Sequence, residues 1–94
     1  HFTFNGPGFS APTDDPTLYV MRGMTYAFDN TANGANHPFR IQSTAGLSGT
    51  AYTTGQSGSG TSVLYWTVPM DSPNVLYYQC TVHSLMNGTI NVLN

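Results

Sequence analysis

The sequence predicts an all-β fold, an antiparallel β-sandwich or barrel of about seven strands. Short runs rich in β-branched and aromatic residues alternate with turns that contain Gly, Pro, Asn and Asp along the whole chain. No window places apolar residues at helical spacing over three turns. A chain of 94 residues has room for one hydrophobic core, so residues 1–94 are expected to form a single domain.

Seven segments match the strand pattern, and turn residues separate most of them. The segments PTLYVMRG and MTYAFDN meet at Gly23, which predicts either one bent strand or two strands. TSVLYWTVP has the strongest strand composition, and Pro69 ends it. In chain order the predicted strand segments are 1–6, 16–23, 24–30, 37–44, 61–69, 75–80 and 88–94.

Turns, loops and core positions follow from the same pattern. The stretch 43–60 ends in Gly and Ser residues with little to bury, so we expect a mobile surface loop there. Asp14 and Asp15 precede a proline and indicate a solvated turn, and Asn87-Gly88 predicts a turn into the last strand. The aromatic residues expected in the core are Phe4, Tyr26, Phe28, Trp66 and Tyr78.

Charge is scarce and limits the classes of partner. Only 6% of residues are charged, the net charge is −2, and the only cations are Arg22 and Arg40. This composition gives no basic surface for nucleic acid or for anionic membranes. No apolar run reaches the roughly 18 residues of a membrane span, and a single cysteine excludes an internal disulfide.

The segment YYQCTVHSLM brings a thiol, an imidazole and a thioether together at a spacing of three residues. Cys80, His83 and Met86 lie between two predicted strands, so their side chains are expected to converge around a tight loop. These soft to borderline ligands favour copper, and an electron-transfer copper site with an axial Met needs a second His. His37 opens a predicted strand and is our preferred second His, while His1 lies at a terminus that can fray.

With these residues, the chain resembles the cupredoxins, the small blue-copper proteins. NHPF matches the segment of the first ligand, and YYQCTVHSLM matches the segment of the other three, with the short ligand-loop spacing found in amicyanin. The resemblance implies a Greek-key fold of two sheets with one copper ion held by His37, Cys80, His83 and Met86. It also implies Cu(I)/Cu(II) electron transfer without enzymatic turnover, with a redox partner protein docking near His83. One departure is Pro38, which has no N–H to bond the thiolate and so predicts a comparatively low reduction potential.

One alternative remains open beside the electron carrier. FTFNGPGF, DPTLYVMRGMTYAF and LYYQCTVHSLMNGTI are also similar to cupredoxin-like domains in virion proteins of marine bacteriophages. The chain would then be a structural or adhesive module of a larger virion or cell-surface protein, with copper stabilising a small fold or no longer bound. The expected location is outside the cytoplasm, periplasmic or secreted, or in a virion, and the chain is either a mature product or an excised domain.

Overall fold

The computed structural model describes residues 1–94 and contains nine strands and no helix. The prediction of an all-β fold is confirmed, and there is no helix long and apolar enough to span a membrane. The strands are β1 (Thr3–Phe4), β2 (Thr13–Asp14), β3 (Leu18–Met21), β4 (Thr25–Asp29), β5 (Phe39–Gln42), β6 (Gln56–Gly58), β7 (Val63–Thr67), β8 (Val75–Cys80) and β9 (Asn87–Leu93).

The nine strands form three sheets, and none of the sheets closes into a barrel. A four-stranded sheet has the order β3-β9-β8-β5, a three-stranded sheet has the order β4-β7-β6, and β1 pairs with β2. This arrangement is compatible with a sandwich-like fold. The segments on either side of Gly23 are two strands, because β3 and β4 belong to different sheets.

One pair of strands departs from the expected antiparallel arrangement. β3 and β9 run parallel, with Leu18 opposite Ile90 and Met21 opposite Leu93. Parallel strands cannot be joined by a tight turn. Here most of the chain lies between the two partners, so no local pattern in the sequence indicates their direction.

Two short strands and one turn also differ from the sequence prediction. β2 includes Asp14, which was expected in a turn, and β6 lies inside the predicted loop 43–60. β9 begins at Asn87, so Asn87-Gly88 is strand and the turn falls earlier, at Ser84-Leu85. A hydrogen bond of 2.8 Å from the Asn87 side chain to the Ser84 carbonyl stabilises that earlier turn.

The core lies between the sheets and is rich in aromatic side chains. Trp66 and Tyr78 are fully buried, as predicted, while Phe4, Tyr26 and Phe28 are partly buried and pack against the core. The Trp66 indole N–H donates to the Thr54 carbonyl at 3.1 Å, which fastens the 43–60 segment to the core. Phe39 stacks between Phe28 and Tyr78, with ring centroids at 5.0 and 5.7 Å.

Candidate metal centre

Two distant segments meet at one end of the four-stranded sheet. In the antiparallel pair of β5 and β8, Phe39 lies opposite Cys80. His37 therefore precedes β5 at the point where Cys80 ends β8. A hydrogen bond of 3.1 Å from the Thr81 N–H to the Pro38 carbonyl continues the pairing beyond the strands. This register brings the predicted His37 to the predicted Cys-His-Met loop.

Three of the four predicted ligands form one cluster. The Nδ1 atoms of His37 and His83 are 3.2 Å apart, and the Cys80 Sγ is 3.5 Å from the His83 Nδ1. Each residue offers one donor atom within 4.8 Å of the other two, and the group could hold a metal ion. The imidazole rings lie face to face at a tilt of 37°, with centroids 4.8 Å apart.

Two of the three separations between these donor atoms fit a single ion, and the third, between the His37 nitrogen and the Cys80 sulfur, lies within 4.8 Å. Metal–nitrogen bonds of about 2.0–2.1 Å and metal–sulfur bonds of about 2.3 Å, at tetrahedral angles, place two nitrogens about 3.3 Å apart and nitrogen and sulfur about 3.6 Å apart. The two measured separations, 3.2 and 3.5 Å, agree with these values. An ion could therefore bind with little movement of His83 relative to its two neighbours.

Comparisons with protein-family models, curated proteins and solved structures find no match. The interpretation of this site therefore depends on its own geometry and donor chemistry. The residues that form the cluster are ones that the sequence predicted to bind a metal ion together.

Burial decreases from the thiol to the second imidazole. Cys80 is fully buried and belongs to the hydrophobic core, His37 is half-buried, and His83 is exposed. The only hydrogen-bond contact of the Cys80 Sγ is the one with the His83 Nδ1, and no backbone N–H bonds the sulfur. The cluster is thus closed by the core on the thiol side and open to solvent on the side of His83.

Met86 closes the loop through its main chain. Its carbonyl accepts a 2.8 Å hydrogen bond from the Cys80 N–H, and its own N–H donates to the His83 carbonyl at 3.2 Å. The Met86 side chain is buried in the core cluster. Its role as a thioether ligand stays a prediction. His1 is not in the metal-binding group, and its imidazole faces the Asp14 carboxylate at 3.3 Å.

His37 is held by a turn whose supporting residues the sequence analysis did not identify. The Asn30 side-chain amide donates to the carbonyls of His37 at 2.7 Å and Gly60 at 3.0 Å. Asp29 accepts hydrogen bonds from the hydroxyl and backbone N–H of Thr31, which lower the pKa of its carboxyl and stabilise the start of the turn. Asn30 directly follows β4, and a polar residue at a strand end was the available signal.

Proposed function

We propose that this protein binds one copper ion through His37, Cys80, His83 and Met86 and carries single electrons, as a type 1 copper protein does. The observation that carries the proposal is the convergence of two imidazole nitrogens and one buried thiol, with donor atoms within 4.8 Å of one another. Residues 46 positions apart in the chain supply the two nitrogens. A Greek-key connection of the strands, expected for a cupredoxin, is part of the same proposal.

The donor set favours copper over other ions. Imidazole suits several transition metals, and thiolate with thioether favours copper(I), whereas magnesium, calcium and manganese prefer oxygen ligands. Copper in such a set supplies reversible one-electron transfer between Cu(I) and Cu(II). The protein holds the donors in place, and the core around Cys80 keeps water from the sulfur. We propose electron transfer at this site and no enzymatic reaction.

The exposed side of the cluster is the proposed docking surface for a redox partner protein. His83 is exposed, and next to it Leu85 and Val82 are 90% and 58% exposed. Apolar residues around an exposed ligand allow close approach without strong charge complementarity. A small contact of this kind suits brief electron-transfer encounters.

A structural module is the second candidate, and the small core favours it. Only 18 of the 94 residues are buried, so the apolar core of this domain is limited. An ion bound by His37 and by the Cys80–Met86 loop would link two distant parts of the chain and stabilise the fold. In this case the ion need not change its oxidation state.

Titration of the metal-free protein with Cu(II) tests the electron carrier. We expect an intense absorption band in the red region from thiolate-to-copper charge transfer, bleached by ascorbate and restored by ferricyanide. Cys80→Ser should abolish the band, because the thiolate is lost, and His37→Gln should abolish or shift it. His1→Gln is the matched control, because His1 lies outside the cluster, and it should leave the band unchanged.

The same titration separates the two candidates. A tightly bound, colourless Cu(I) or Zn(II) ion that raises the melting temperature would favour the structural module. Wild-type protein that binds neither copper nor zinc would refute both roles of the metal site. Colour that survives in Cys80→Ser would refute the proposed ligand set.

A further inference from the structure

The loop that carries the cysteine, histidine and methionine is bounded by two amide side chains. Gln79 and Asn87 lie opposite each other as the last residue pair of the β8–β9 ladder. The loop of residues 80–86 begins directly after Gln79 and ends directly before Asn87. Both residues direct side-chain N–H groups at carbonyls of this loop. No pattern in the sequence marks either residue as part of the site.

Gln79 makes several contacts with the loop. Its Nε2 donates to the carbonyls of Cys80 at 2.9 Å and His83 at 2.9 Å and lies 3.4 Å from the carbonyl of Ser84. The Gln79 side chain is fully buried, and its Oε1 has no hydrogen-bond partner. An unpaired buried acceptor is unfavourable, because it has lost its hydrogen bonds to water. The amide therefore keeps an orientation that serves the loop carbonyls while leaving its own oxygen unsatisfied.

Asn87 supports the same turn from the opposite strand. Its Nδ2 donates to the Ser84 carbonyl at 2.8 Å, so this carbonyl lies within reach of both amides. The carbonyls of His83 and Ser84 belong to the turn that aims the His83 ring at Cys80. Because the amides fix the direction of these two peptide groups, the backbone at His83 has less freedom to rotate.

We propose that Gln79 and Asn87 are positioning residues that hold the 80–86 loop in its metal-binding shape before an ion arrives. The inference rests on the proposed function for the identity of the ion, and the ordering of the loop can be tested without any ion. Residues that orient metal ligands are commonly worth 10–100-fold in metal affinity. Without the two amides, the loop would become ordered only when the ion binds. The free energy needed to order it would then reduce the metal affinity.

Gln42 provides a matched control inside the same sheet. It is also a fully buried glutamine, and its Nε2 donates to the carbonyls of Thr44 at 3.0 Å and Gly46 at 2.7 Å. Through its Nε2 it braces a loop as Gln79 does, but this loop carries no metal-ligand candidate. The Gln42 Oε1 differs in accepting hydrogen bonds from the Arg40 guanidinium. A general effect of removing a buried glutamine will appear in both glutamine variants, whereas an effect on the site will appear in Gln79→Met and not in Gln42→Met.

The experiment measures Cu(I) affinity by competition with a colorimetric chelator in wild type, Gln79→Met, Asn87→Ala and Gln42→Met. We expect Cu(I) affinity to fall about 10–100-fold in Gln79→Met and severalfold in Asn87→Ala. Gln42→Met should bind within about twofold of wild type even where its melting temperature is lower. Asn87→Ala removes one exposed hydrogen bond, so it keeps the test available if Gln79→Met does not fold.

Hydrogen exchange in the metal-free proteins supplies a second readout that needs no ion. The amides of Cys80 and Met86 close the loop and should exchange faster in Gln79→Met and Asn87→Ala than in Gln42→Met. Unchanged affinity together with unchanged exchange would overturn the inference, as would an equal loss of affinity in Gln42→Met. Wild type that binds no copper would refute the proposed function, and the exchange rates would still decide the role of the two amides.

Discussion

Replacing Tyr78 by phenylalanine should destabilise the protein at neutral pH and have little effect at alkaline pH. The Tyr78 ring is fully buried and lies within 5.1–6.0 Å of Phe2, Phe4 and Phe39. Its hydroxyl donates a 2.6 Å hydrogen bond to the carbonyl of Pro16, which precedes β3. The substitution keeps the aromatic packing and removes this hydrogen bond alone.

At pH 7 the expected loss is about 1–2 kcal/mol of unfolding free energy, because the Pro16 carbonyl is left without its donor in a partly buried position. For a domain of this length, 1 kcal/mol corresponds to about 4–8 °C in melting temperature. The measured decrease should therefore be about 4–16 °C.

The pH dependence follows from the pKa of Tyr78, which burial and the neighbouring Asp15 carboxylate raise above the ordinary value of 10.0. The unfolded chain then releases the Tyr78 proton at a lower pH than the folded protein does. This contribution to stability is complete below pH 10 and declines as the pH rises above it. The wild type should lose about 1.4 kcal/mol between pH 9 and pH 11 from this group, and the phenylalanine variant should lose none of it.

Urea unfolding of metal-free protein, followed by Trp66 fluorescence from pH 7 to pH 11, tests both parts. Tyr19→Phe is the control, because the Tyr19 side chain is 66% exposed. The control should match wild type at every pH. A difference between wild type and Tyr78→Phe that stays constant up to pH 11 would show that the pKa reasoning is wrong. A difference below about 0.5 kcal/mol at pH 7 would contradict the assigned hydrogen bond.

Two further predictions concern the surroundings of the cluster. Gly60→Ala should lower the unfolding free energy by about 2–3 kcal/mol, because a Cβ there would overlap the carbonyl oxygen of Phe39, close to His37. Chemical denaturation will measure the change, with the exposed Ser57→Ala as the control. A denaturation midpoint equal to that of the control would contradict the contact. Pro38→Asn should raise the reduction potential of the copper form by up to roughly 60 mV, because a new N–H can bond the Cys80 sulfur and favour the reduced state. Voltammetry that shows no change or a lower potential would count against this reason.

Local sequence patterns were sufficient for the fold class and for most strands. Alternating apolar residues and turn residues predicted seven strand segments, and each overlaps a strand of the structure. The buried positions of Trp66 and Tyr78 followed from the same alternation. The spacing of Cys80 and His83 also predicted their proximity, because residues three apart on a tight loop must lie close together.

Features that depend on distant residues were accessible only through the tertiary structure. The parallel pairing of β3 with β9 depends on a partner far along the chain. The strands β2 and β6, of two and three residues, are too short to show an alternating pattern. The support of His37 by Asn30, and of the ligand loop by Gln79, likewise depends on backbone carbonyls, which every residue has and no sequence pattern marks. The sequence by itself therefore determined which side chains could bind a metal and which segments become strands. Only the folded chain decided which strands pair, because hydrogen bonds between distant residues are set by the packing of the whole domain. It also decided which amides hold the site, because any backbone carbonyl can accept a hydrogen bond.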